Sequence, residues 1–188
     1  MTIAGLLFLH VLGVCVLAAA TGIELVTLGR IGLAKTTEDV RAALAGGAIL
    51  PKLFPIATVA LFATGAALTV AEGLDPRTPW LAASLLLVVA AALVGPLVVG
   101  RRMGALAGAA FSAPGGTIGA RLDAARRDTL LQIGRTFTTL AAVALLALMS
   151  MKPGLAAAVT IVAAVVVTSM LAGLLPGRKT APERTAIV

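Results

Sequence analysis

Five long apolar stretches occupy most of this chain, roughly residues 3–28, 53–71, 80–100, 129–151 and 154–175, and they restrict it to a fold built in a membrane. Each approaches or exceeds the ~20 residues that a helix needs to cross a bilayer. Backbone amides surrounded by lipid must be satisfied within their own segment, and the stretches lack the alternating polar residues of a barrel strand. The expected fold is therefore all-α: a polytopic bundle of five transmembrane helices forming a single membrane domain over residues 1–188.

The basic residues give that bundle a direction. Arg30, Lys35, Arg41 and Lys52 lie in the first gap, at 29–52; Arg101, Arg102, Arg121, Arg126 and Arg127 lie in the third, at 101–128; Arg178, Lys179 and Arg184 lie in the tail, at 176–188. The two other gaps hold only Arg77 and Lys152. Short basic loops are retained on the cytoplasmic side, so the expected topology is N-out/C-in, which an odd number of spans satisfies.

A chain that is 60% hydrophobic, with a mean hydropathy of +1.07, leaves no room for a separate soluble domain. Its pI near 11.1 could suggest nucleic acid. The basic residues sit beside the spans with little aromatic interleaving, however, so anionic lipid of the inner leaflet is the expected partner and nucleic acid is not. Cys15 is the lone cysteine and lies inside the first span, which excludes an intramolecular disulfide. The opening run resembles a signal-peptide core ending at Ala18-Ala19-Ala20, but it lacks a basic start and continues through Ile23 and Leu25; it reads as a span.

Between the spans, Thr36 or Thr37 is placed to cap a short interfacial helix that opens with Glu38 and Asp39 and ends at Gly46-Gly47. The third gap is softest at Ser112-Ala113-Pro114-Gly115-Gly116, with Arg121–Asp128 expected to extend the fourth span. Lys152-Pro153-Gly154 is short enough to force spans four and five into an antiparallel hairpin. Trp80 suits an interfacial anchor, and Pro96 predicts a kink near the inner end of span three.

Polar groups at membrane depth usually face the bundle interior, and here they are few: His10, Glu24 and Arg135. At 100° per residue, His10, Gly13, Leu17, Thr21 and Glu24 form one stripe, and Gln132, Arg135, Thr139 and Met149 form another on span four. His10 and Glu24 are separated by roughly 21 Å of helix, as are Arg135 and Met149 in the opposite direction. An antiparallel register would then pair Glu24 with Arg135 near the inner side and bring His10 level with Met149 near the outer side. The plainest role for Glu24 and Arg135 is a buried ion pair that stabilises the bundle. For His10 it is a hydrogen-bonded interior histidine, with a polar or metal site made with Met149 and Met151 as the sharper alternative.

No paired carboxylates with a base, no Ser/His/Asp or Cys/His set, no HExxH and no phosphate-cradling glycine loop occur, so a non-enzymatic role is expected. The glycines at 100, 104, 108, 115, 116 and 119 follow no soluble strand and do not form a dinucleotide fingerprint.

Phe8-Leu9-His10-Val11-Leu12-Gly13, Thr64-Gly65 and Met149-Ser150-Met151-Lys152-Pro153 together resemble a bacterial group of predicted integral membrane proteins of unknown function, over about residues 1 to 155. That group is loosely similar to the copper-resistance D membrane proteins. The resemblance implies a bundle in the bacterial cytoplasmic membrane, and copper or haem as the cofactor to look for, carried by His10, Met149 and Met151. Three roles follow as expectations: a structural or assembly subunit, homo-oligomeric or packed with partner membrane proteins; a transporter or ion-handling bundle using the inward polar stripe; and a copper- or haem-associated protein using His10.

Overall fold

Thr2 accepts the amide of Gly5 at 3.2 Å and opens a helix that no proline interrupts for 31 residues. This helix, α1 (Ile3–Leu33), is about 46 Å long, well beyond the ~30 Å of a bilayer's hydrocarbon. The first gap therefore begins as helix, with Gly29–Leu33 still part of α1. The computed structural model describes residues 2–174, and within them five helices are long and apolar enough to cross a membrane. After α1 come α2 (Thr37–Gly46), α3 (Leu50–Ala71), α4 (Pro79–Val94), α5 (Arg101–Ser112), α6 (Ala120–Arg126), α7 (Thr129–Met151) and α8 (Leu155–Leu174). Residue 175 and the tail at 176–188, with its three basic residues, lie outside the described residues.

Of the two threonines expected to cap α2, Thr36 does so. Its hydroxyl accepts the Asp39 amide at 3.1 Å while the Asp39 carboxylate accepts the Thr36 amide at 3.0 Å, a reciprocal capping box. Pro96 changes the winding of the helix. A proline inside a helix removes one amide and crowds the carbonyl four residues back. Here the chain widens into a π-helical stretch, Gly95–Gly100, and then carries on as α5. The result is one helical run of 34 residues, Pro79–Ser112. Much of the third gap is thus helix rather than loop: Ala105, Ala107, Ala109 and Ala110 outweigh Gly104 and Gly108 in helix preference, and Leu106, Ala109 and Ala110 are buried.

Residues 121–128 do not extend the fourth span directly. α6 ends at Arg126, and Asp128 starts a new helix by accepting the Leu131 amide at 2.8 Å. α7 and α8 form the expected hairpin, with Lys152 turning the chain in the left-handed region at φ 44°. The Lys152 ammonium lies 5.5 Å from the centre of the Trp80 ring at the same end of the bundle.

The helices sort into two groups. α1 packs chiefly against α3, while α7 packs against α8 and α4 around Leu87, Ala141, Ala144, Leu148, Ala158 and Val165. Between the groups, α1 meets α7 and α3 meets α4 only slightly. What joins them is a core at the basic end, where Ile31 of α1, Val40 of α2, Leu106 and Ala110 of α5, Leu122 of α6 and Leu131 of α7 are buried together.

Candidate functional site

The segments at the basic end form a clasp. The Glu38 carboxylate accepts the Gly116 amide through both oxygens, at 3.0 and 3.1 Å, and the Thr37 amide donates to the Gly116 carbonyl at 2.9 Å. A Cβ on Gly115 would run into the Glu38 carboxylate, so any larger residue there would push that carboxylate off its present position. Arg41 completes the clasp by donating from Nε to the Ala110 carbonyl at 2.9 Å and from Nη2 to the Ala113 carbonyl at 2.6 Å, at the end of α5. Glu38 is held below the usual carboxylate range by its own backbone amide and by that of Gly116.

Arg126 ties α6 to α1. Its Nη1 donates to the carbonyls of Ile31 and Ala34 at 3.2 and 2.9 Å, at the negative end of α1, where the Ile31 carbonyl also accepts the Ala34 amide. Its Nη2 donates to Asp123 at 2.8 Å, and this contact is the main reason that Asp123 is held below the usual carboxylate range. The Arg126 side chain is 12% exposed and its Nε is buried without an acceptor. Sequence reasoning counted Arg126 only as a topology charge. The Asp123-x-x-Arg126 spacing hinted at a fixed guanidinium, but the carbonyls it reaches come from another helix.

Glu24 is 5% exposed on α1, and Arg135 is half-buried on α7 and is the cation that acts on it electrostatically. No nitrogen–oxygen approach within 4.0 Å joins them; the three ion pairs among the described residues are Arg102–Asp128, Arg126–Asp123 and Arg127–Asp123. The expected ion pair is thus absent from the direct contacts among the described residues. Arg135 lines a cavity of about 250 Å³ whose other polar residues are Arg126 and Gln132 and whose apolar walls include Leu28, Ile31, Leu106 and Leu131.

His10 turns towards α3 instead of α7. Its Nδ1 lies 3.0 Å from the Thr64 hydroxyl, which itself donates to the Ala60 carbonyl at 2.7 Å. With its one hydrogen committed there, the hydroxyl accepts from His10, so Nδ1 carries the proton in the assigned tautomer. The ring sits over Gly65, where a Cβ would come within 3.3 Å of it. α1 and α7 touch too little for the expected register to run their whole length, and His10 packs against α3 rather than beside Met149. Met149 is half-buried and Met151 is 73% exposed. Among the described residues no three His, Cys, Asp or Glu side chains gather as metal ligands. The partners around His10 are a hydroxyl and an aliphatic notch, which do not fit Cu(I).

The description "Predicted integral membrane protein (DUF2269)" matches residues 5–153, and the chain belongs to that family. No curated protein and no solved structure matches it.

Proposed function

We propose, with that membership as the premise, that this chain is a non-enzymatic structural or assembly subunit of the bacterial cytoplasmic membrane, oriented N-out/C-in, which packs with a second copy or with partner membrane proteins. The observation that carries this reading is the division of the bundle into two helix groups joined at the basic end, which leaves a long seam at membrane depth for another helix or for lipid. Ala18 and Gly22, one turn apart on the exposed side of α1, allow the backbone of such a helix to come close. Purification in mild detergent with mass measurement tests it. A dimer or a stoichiometric partner is expected, and a bare monomer would count against the reading. Metal analysis and an absorption spectrum on the same sample test the copper or haem alternative, which requires stoichiometric metal or a Soret band.

An ion-handling bundle is the second reading, favoured by one observation: Glu24 is 5% exposed on a membrane-spanning helix and has no ion pair among the described residues. Ionisable groups at membrane depth mark ion pathways when they are not fully committed to each other. Ion flux into proteoliposomes that is lost in Glu24→Gln would support it. Equal flux in both proteins would dismiss it.

A further inference from the structure

We propose that the cavity at the basic end of the seam binds the phosphate of an anionic phospholipid, with Arg135, Gln132 and Arg126 as its ligands. The cavity's polar lining holds two guanidiniums and one amide and no carboxylate. Arg135 brings five N–H donors, and none of them has a hydrogen-bond acceptor among the described residues; the Gln132 side chain has none either. The buried Nε of Arg126 adds one more donor without a partner, while the rest of that guanidinium is fixed by Ile31, Ala34 and Asp123. Donors left over on three side chains around one cavity call for an acceptor-rich anion, and a phosphate presents acceptor oxygens in the geometry that guanidinium groups match.

Charge and shape select the lipid form of that phosphate. Asp123 offsets Arg126 through a direct contact and leaves Arg135 as the one uncompensated guanidinium of the lining, so the surroundings favour a single negative charge, as on a phosphodiester, over a doubly charged phosphate. The volume of about 250 Å³ lies just below the roughly 300 Å³ at which drug-sized ligand sites begin. It accommodates a headgroup only. The acyl chains would lie outside it, in the bilayer.

The test uses the full chain in nanodiscs of phosphatidylcholine with and without phosphatidylglycerol, and counts retained lipids by native mass spectrometry after release into detergent. Selective retention of phosphatidylglycerol is expected, with a loss of about tenfold in Arg135→Gln, the scale of a charge-assisted hydrogen bond. Arg121→Gln removes a charge from an exposed position outside the cavity and should retain the lipid. Should Arg135→Gln fail to fold, Gln132→Leu provides the second probe, with a smaller loss expected. Equal losses in Arg135→Gln and Arg121→Gln would reduce the effect to surface charge and overturn the site. So would retention of phosphatidylcholine and phosphatidylglycerol alike, or displacement of the lipid by millimolar inorganic phosphate, which would assign the cavity to a soluble anion.

Discussion

The carboxylate of Glu38 straddles the backbone amide of Gly116, with both oxygens within 3.1 Å of its nitrogen, and so fastens the short helix after the first span to the loop before the fourth. The bond needs the ionised acid. Because the folded pKa of Glu38 lies below its ordinary value of 4.5, the stabilisation is complete above that value and is lost as pH falls through the lower, folded one. Hydrogen exchange at the Gly116 amide, compared with Glu38→Gln from about pH 6 to about pH 3, reads this out. Wild-type protection should exceed that of the variant at the upper end and converge with it at the lower. A constant ratio would show that the acid does not fasten the loop.

Removing one of two opposite charges at membrane depth leaves the other uncompensated, which costs more than removing both. Glu24→Gln and Arg135→Gln should each lower thermal stability, by about 1–3 kcal/mol given the absence of a direct contact, and the double substitution should recover about half of the summed loss. Losses that simply add would mean that the two charges do not interact.

His10 offers a distance test. In a Cys15→Ala background, His10→Cys with Thr64→Cys should crosslink with a short thiol reagent, whereas His10→Cys with Met149→Cys should not, because the histidine faces α3. The reverse outcome would restore the pairing of α1 with α7 along their whole length.

Asp128 both caps α7, through the Leu131 amide, and accepts a bond from Arg102 at 3.0 Å. Asp128→Ala should destabilise the protein by about 1–2 kcal/mol, mostly through the lost cap, since the arginine side of the pair is 43% exposed. Arg102→Ala should cost only a few tenths of that; equal costs would assign the energy to the ion pair.

The spans were legible because about twenty mostly apolar residues in succession leave a chain few alternatives, and α2 was legible because Thr36 and Asp39 carry their cap only three residues apart. Partner choice was not. A stripe of His10, Gly13 and Glu24 states that α1 has an inward face without stating what it faces, and the notch that receives His10 depends on Gly65 and Thr64 lying at one height on α3. The clasp was hidden for a similar reason. Its acceptors are the carbonyls of Ala110, Ala113 and Gly116, which no side-chain pattern advertises, and the glycines before them suggested a loop where α5 continues. The depth of Arg135 was legible from its place in the span, but the cavity it lines required Arg126 to arrive from α6.

The uninterrupted run from Pro79 to Ser112 spans about 51 Å, anchored at one end by Trp80 beneath Lys152 and at the other by the grip of Arg41 on Ala110 and Ala113. Such a strut transmits displacement. A tilt imposed at the Trp80 end by a thinner bilayer or a neighbouring protein would reach the clasp only through the π-helical turn at Gly95–Gly100, the one stretch of this run not wound as α-helix.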